Sequence, residues 1–245
     1  MSNSILVLGS RYGVKLPDIN FKKIYSANGA AELVKAYNKK FDNIDHTSVF
    51  GVREFISNTS VREKIINSNP TRLVIRNGKL NLNNYNFNNK IIVNQFSSFD
   101  DLKMQISSLN LSIFGFIYSE LKYNENNKIS YFLKCLKKGF FQGFTSGLFA
   151  ALLALNENPK SEIIISGIGL EEGGGHFYTS KDHAGFFSQN DLLNKVNKFR
   201  NTNRKKVEAY LFEYLKENIK KRMLSTDKDF CKLGNIKYFD CSIIA

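Results

Sequence analysis

The chain has three histidines as candidate proton carriers, His46, His176 and His183. Two of them share one stretch, Glu171-Glu-Gly-Gly-Gly-His-Phe-Tyr-Thr-Ser-Lys-Asp-His183. An imidazole that titrates near neutrality can take a proton from a hydroxyl. A glycine-rich segment just after a strand reads as an active-site loop. His176 and His183 are seven residues apart, which is not the spacing of a helical zinc motif. His46 sits before a strand with no partner motif and reads as structural. Asp227-Lys-Asp229 has the D-x-D form that can hold a divalent cation. However, Ser225-Thr226-Asp227 reads as a helix start, where these residue types cap backbone N–H groups. No metal site is assigned. Cys135, Cys231 and Cys241 are an odd number without metal-ligand spacing, which fits a reducing compartment and no disulfide framework.

A second kind of chemistry belongs to the backbone. Thr145-Ser146-Gly147 opens an apolar helix running to about Leu155, with Leu148, Ala151, Leu152 and Leu155 on one face. The start of such a helix is a ready anion site. Short apolar runs end in Gly9-Ser10-Arg11, in Asn28-Gly29 and in Gly167-Ile-Gly169. Parallel sheets bind ligands at the carboxyl ends of their strands, so these residues together point to a nucleotide or sugar phosphate. Gly9-Ser-Arg-Tyr-Gly13 lacks the G-x-G-x-x-G spacing and no G-x-x-x-x-G-K-[ST] loop is present. Neither a dinucleotide nor any other cofactor is expected.

The elements that must position these residues alternate between periods of two and 3.6. Strands are expected at 4–9, 23–27, 47–50, 72–75, 90–93, 162–167, 223–226 and 236–239. Helices are expected at 28–41, 100–109, 131–138, 145–155 and around Val207 to Ile219. Helix, turn and strand from Thr145 to Gly167 make half of a parallel βαβ unit. The expected fold is α/β: a single Rossmann-like domain over 1–245, with a mostly parallel sheet and helices on both faces.

Lys and Arg number 35 against 22 Asp and Glu, for a net charge of +13 over 245 residues. A composition 42% hydrophobic and 23% charged is globular. More than half of the excess charge lies at about 195–222, where ten basic residues face three acids. That segment is amphipathic, with Val207, Tyr210, Leu211, Tyr214, Leu215 and Ile219 along one side. Its apolar side is expected to cover the sheet. Its basic flanks Arg204, Lys205, Lys206, Lys220, Lys221 and Arg222 offer themselves to an anionic membrane surface. No run approaches the ~18 apolar residues of a spanning helix, and no signal peptide is visible at Met1-Ser-Asn-Ser-Ile. A cytoplasmic protein is expected, with peripheral attachment at the inner face of the membrane as an open option.

Phe144-Thr-Ser-Gly-Leu-Phe-Ala-Ala-Leu-Leu-Ala-Leu155, followed by Glu162-Ile-Ile-Ile-Ser-Gly-Ile-Gly169, resembles the heart of the small bacterial sialyltransferases (glycosyltransferase family 42). Their pattern is a T-S-G helix start and then a strand ending S-G-I. Asn28, directly after the second strand, is similar to a nucleotide-contacting Asn of that family, and His183 matches its later histidine. The resemblance covers the first fifty residues and 140–195, and transferases using CMP-Kdo share related folds. The chain departs from the family in three places. It reads Gly9-Ser10-Arg11-Tyr12-Gly13 where the family usually has G-N-G-P-S. Gly143 stands where an Arg commonly precedes T-S-G by two residues. The segment between the strand and the histidine is shorter.

The resemblance implies transfer of a sialic-acid-type or Kdo sugar from a CMP-linked donor to a hydroxyl of a cell-surface glycan or lipid-linked oligosaccharide. CMP is already a good leaving group, so no metal is implied. His183 is the implied base, with His176 as second choice. Tyr178, Ser146 and the N–H groups of Thr145 to Gly147 are candidate phosphate donors, and Gly9, Ser10 and Asn28 would hold cytidine and ribose. Glu171 or Glu172 would serve on a retaining route through a covalent intermediate. Two other readings stay open. One is a pterin-type phosphate-transfer or non-catalytic nucleotide-binding relative. The other is a basic nucleic-acid-binding protein, resting on the charged segment without a recognised module.

Overall fold

The computed structural model describes residues 4–11, 14–87, 90–123, 128–138, 143–170 and 205–244. One sheet holds eight strands: β1 (Ile5–Leu8), β2 (Lys23–Ala27), β3 (Asp45–Gly51), β4 (Arg72–Arg76), β5 (Ile92–Gln95), β6 (Ile163–Ser166), β7 (Met223–Ser225) and β8 (Lys237–Tyr238). Their spatial order is β5-β4-β3-β2-β1-β6-β7-β8 and every pairing is parallel. The chain thus winds outward from β1 to β5, crosses back, and winds outward again from β6 on the other side of β1. The reversal leaves a crevice between the carboxyl ends of β1 and β6.

Both faces of this Rossmann-like sheet are covered, which is why its central strands read as unbroken apolar runs. Ile5 and Val7 of β1 point to one face and Leu6 and Leu8 to the other, following the two-residue period. The first face carries α4 (Ser98–Ser107), α7 (Ser146–Glu157) and a helix over 205–213, here α8. The second carries a 3-10 turn at Asn28–Leu33 running into α1 (Val34–Asn38), then α2 (Val52–Ser57) and α3 (Thr59–Asn67). Two further helices, α5 (Ile113–Tyr123) and α6 (Lys128–Lys138), lie in the long crossover before α7, and α9 (Glu217–Lys220) and α10 (Lys228–Gly234) flank β7.

Two expected helices differ from the fold. The stretch 28–41 is not one α-helix: Asn28 takes φ +51, and the chain tightens into 3-10 geometry before α1. The stretch from Val207 to Ile219 is two helices. Between them Leu215 bridges antiparallel to Leu109, Asn110 N donates to the Tyr214 carbonyl and Lys216 N to that of Ser108. These bonds take backbone groups that a continuous helix would have used internally.

The apolar side of this segment is buried, with Val207, Leu211, Leu215 and Ile219 all in the core under the sheet. Several of its basic groups have internal acceptors. Lys205 Nζ donates to Glu208 at 2.7 Å, Lys220 Nζ to the Glu213 carbonyl, and Arg222 to the carbonyls of Leu155, Asn158, Pro159 and Ser161. Among the described residues no helix is long and apolar enough to cross a membrane.

Candidate functional site

The crevice is closed at its base by two glycines. Gly9 N donates to the Ser166 carbonyl at 2.8 Å, and Arg11 N to the Gly167 carbonyl at 2.9 Å. Gly167 has φ +72, a conformation that favours glycine. β1 and β2 leave the sheet side by side, because Leu8 pairs with Ser26. Gly9 and Ser10 therefore emerge beside Ala27 and Asn28. Ser10 is buried. The Asn28 Oδ1 is buried and accepts no hydrogen bond in the structure. A carbonyl oxygen in that state keeps its desolvation cost uncompensated until a donor arrives.

The start of α7 stands at the same edge and is held from four directions. Gly143 N donates to Glu120, Phe144 N to Gln105 Oε1 at 2.7 Å, and Thr145 N to Glu208 Oε1 at 2.8 Å. Arg76, the last residue of β4, donates from Nη2 to the Phe144 carbonyl at 3.1 Å. Gly143 occupies the left-handed region at φ +50, and a Cβ there would meet Gln105 and Phe116. No guanidinium is available from position 143, yet one stands beside this helix start, supplied by Arg76. Its Nε and Nη2 bond Asp101 at 2.7 and 3.0 Å, and it lies 4.0 Å from the centre of the Phe149 ring. Arg76 and Asp101 are both buried, so this pair braces the helix start from inside.

Thr145 is the N-cap residue but makes no capping bond, because its hydroxyl donates to Glu208 Oε1. This corrects one expectation: the Thr145 N–H and hydroxyl are already used. The first-turn amides of Ser146 and Gly147 have no intrahelical acceptor and remain as the candidate anion-binding donors of α7. Gly147 packs against Ile168, which follows β6.

On the other side of the crevice, Arg11, Val14, Lys15, Gly167, Thr226, Asp227, Lys228 and Asp229 line a cleft of about 240 Å³. Asp227 is the N-cap of α10: its Oδ1 accepts from the N–H groups of Asp229 and Phe230 at 2.9 and 3.0 Å. Its Oδ2 accepts from Arg11 at 3.0 Å. The D-x-D pair is a helix start, as its flanking residues indicated. Among the described residues no group of three or more His, Cys, Asp or Glu is arranged to hold a metal ion.

His46 lies within β3, buried, with Nε2 2.8 Å from the Ser26 hydroxyl. Burial lowers its pKa to about 4, against the weaker upward pull of the Ser68 backbone and the Asp45 charge. Nδ1 nonetheless has no hydrogen-bond partner. The ring is a neutral structural group away from the crevice. His176, Tyr178, His183, Glu171 and Glu172 lie outside the described residues. The structure thus brings Gly9, Ser10, Asn28, Ser146 and Gly147 to one edge.

Sequence reasoning missed Arg76, Asp101, Gln105, Glu120 and Glu208, which hold the start of α7. The one local signal was a charged or amide residue interrupting an otherwise apolar helical or strand pattern, as Arg76 does after Leu73-Val-Ile75.

Comparison with protein-family models, with curated proteins and with solved structures returned no match.

Proposed function

We propose that the protein is a glycosyltransferase that moves a sialic-acid-type or Kdo sugar from a CMP-linked donor to a hydroxyl of a glycan acceptor. The observation that carries this reading is the braced start of α7. Its Ser146 and Gly147 amides are left uncapped at the carboxyl edge of a parallel sheet, the edge at which the unpartnered Asn28 Oδ1 also stands. Amides in that position suit the phosphate of a departing nucleotide, where negative charge grows as the sugar–oxygen bond breaks. Asn28 Oδ1 offers an acceptor to an amino or hydroxyl group of the nucleoside.

In the proposed step the bond from the sugar's anomeric carbon to the CMP phosphate oxygen breaks, and CMP leaves with that electron pair. The acceptor oxygen bonds to the same carbon and gives up its proton. His183 takes that proton, with His176 as the alternative base, and Tyr178 adds a donor to the phosphate. Preorganised donors matter most where charge develops, and rigid bracing of α7 means that little reorganisation is needed at that moment.

The reading is tested by following CMP release from CMP-sialic acid and CMP-Kdo with glycan acceptors. His183→Ala should lower turnover by roughly 10²–10⁴-fold, the scale of a lost general base, with donor affinity little changed. Normal turnover in His183→Ala with a crippled His176→Ala would move the base. Normal turnover in both with a dead Glu171→Gln or Glu172→Gln would favour the retaining route.

A further inference from the structure

The cleft beside Gly167 has no part in the reading above, yet its walls are pinned by bonds of their own. The loop after β1 forms one wall with Arg11, Val14 and Lys15, and the turn after β7 forms the other with Thr226 to Asp229. Between them the Thr226 hydroxyl donates to Ser166 Oγ at 3.0 Å, and the Ser166 hydroxyl donates to the Lys15 carbonyl. Ser166 and Thr226 are both buried. Arg11 crosses from wall to wall: its backbone N–H holds the Gly167 carbonyl and its Nη1 holds Asp227 Oδ2.

The charges of the cleft divide into spent and unspent. Both oxygens of Asp227 are used, one by Arg11 and the other by two backbone amides. Lys15, Lys228 and the Asp229 carboxylate are exposed and make no hydrogen bond or ion pair with a described residue. Two ammonium groups and one carboxylate therefore line the same small space. A bare phosphate would meet the Asp229 charge, and a neutral sugar would leave the lysines unpaired. A ligand with one acidic group and several hydroxyls uses all three, because ammonium donates to the acid and a carboxylate accepts from hydroxyls. At about 240 Å³ the cleft is smaller than the pockets of about 300–1,000 Å³ that take drug-sized ligands, so it suits one ring rather than a nucleotide. We propose that this cleft is a subsite for a single sugar ring that carries a carboxylate.

The subsite adjoins the start of α7 and deepens the transferase reading, on which its place in a reaction rests. Arg11 lies along Gly169, where a Cβ would meet its Nη1 at 2.6 Å, and Gly147 packs on Ile168, one residue earlier. Arg11 and the start of α7 thus border the same two residues after β6. A sugar acid in the cleft would lie next to the amides that suit the CMP phosphate. Two molecules of the proposed reaction can bring this chemistry: the donor through its own sugar, and the acceptor through an acidic sugar at its end.

Ligand-observed NMR of the full chain, without nucleotide, tests the cleft separately from the transferase reading, which is judged on CMP. N-acetylneuraminic acid and Kdo should bind at low salt. D-glucose and inorganic phosphate should compete at least about ten-fold less well, because each supplies only part of the recognised chemistry. Lys15→Gln with Lys228→Gln should weaken the sugar acids about ten-fold and leave Tm unchanged, since both side chains are exposed. Lys39→Gln with Lys103→Gln removes the same charge from exposed positions after α1 and on α4, and should leave binding as it is. If the donor's sugar occupies the cleft, CMP-N-acetylneuraminic acid should bind more tightly than CMP, and that advantage should shrink when Lys15 and Lys228 are replaced. If the acceptor's sugar does, the free sugar acid should bind alongside the CMP-linked donor. The proposal is overturned if neither sugar acid binds, if the variant of Lys15 and Lys228 binds them like the parent, or if phosphate competes as well as they do. Sugar-acid binding that is lost in that variant, with no preference for CMP among nucleotides, would uphold the cleft and overturn the transferase reading.

Discussion

Gly9 and Gly167 approach so closely at the switch point that neither can carry a side chain: a Cβ on Gly9 would lie 2.2 Å from the Gly167 carbonyl oxygen, and one on Gly167 would lie 2.5 Å from that of Gly9. The obstacle on each side is backbone, which cannot rotate away. Gly9→Ala should therefore separate the ends of β1 and β6, lowering stability by about 2–3 kcal/mol, the scale of overpacking, and weakening nucleotide affinity. Gly51→Ala is the control. It has nothing within 4 Å of a built Cβ and an ordinary φ of −85, so its change should stay within about 0.5 kcal/mol. Urea denaturation of both variants checks this. Equal stability of the two would contradict the tight switch point.

Asp101→Asn should be the most damaging conservative change near α7. It leaves the Arg76 guanidinium buried without its carboxylate, at an expected cost of about 3–5 kcal/mol. Asn keeps only one of the two oxygens that accept from Arg76 and from Gln105, so one of these donors loses its acceptor, and Gln105 in turn orients Phe144 N. Arg76→Met combined with Asp101→Leu should recover part of that loss, because both charges then leave together. Denaturant unfolding measures it. A loss below about 1 kcal/mol in Asp101→Asn would show that this pair does not brace the helix start.

Glu208→Gln replaces a buried carboxylate that serves Thr145 N, the Thr145 hydroxyl and Lys205. The amide presents an NH₂ to one of those donors, and one buried partner is lost at about 1–3 kcal/mol. The start of α7 should loosen. Tm should fall, and affinity for the nucleotide should fall with it. Thr145→Val, which keeps the backbone N–H bond, should have the smaller effect on both.

His46 predicts an acid-sensitive fold. Its folded pKa, about 4, lies below its ordinary 6.5, so the unfolded chain binds the proton first. The stability of the neutral ring is fully present above pH 6.5 and is lost as pH falls toward 4. Between pH 7 and pH 5 the loss should be about 2 kcal/mol, in a window where most carboxylates remain charged. Urea midpoints across that window test it, with His46→Gln as the variant whose slope should flatten. A flat profile in the parent protein would show that the ring is not held neutral.

The sheet was readable from sequence because parallel strands covered on both faces announce themselves as short apolar runs. Lys23–Ala27 is found at its expected bounds, and the runs around Ile5, Leu73 and Ile164 fall within a residue or two of theirs. The edge strand β5 is displaced toward Gln95, because its apolar start at Ile92 and Val93 is exposed at the sheet edge and its polar end, Asn94 and Gln95, goes on pairing with β4. Helices α2 and α3 escaped notice: each is short and mixed in polarity, and they gain stability by packing Phe55, Val61 and Ile65 on the sheet.

Of the site, the glycines, Asn28 and the helix start were legible because their chemistry is local to a turn. The braces were not. Arg76 reaches Phe144 across 68 positions and Glu208 reaches Thr145 across 63. No periodicity records a contact of that separation. Such groups reveal themselves only when the fold places their charges indoors.

The account rests on a cytidine nucleotide lying between Asn28 and the start of α7, and calorimetry on the full chain tests that most directly. CMP should bind with one site per chain and more tightly than AMP or GMP. Asn28→Ala should weaken it by about ten-fold, the worth of one buried hydrogen bond to a ligand. Indifference to the base, or undiminished CMP binding in Asn28→Ala, would contradict the account.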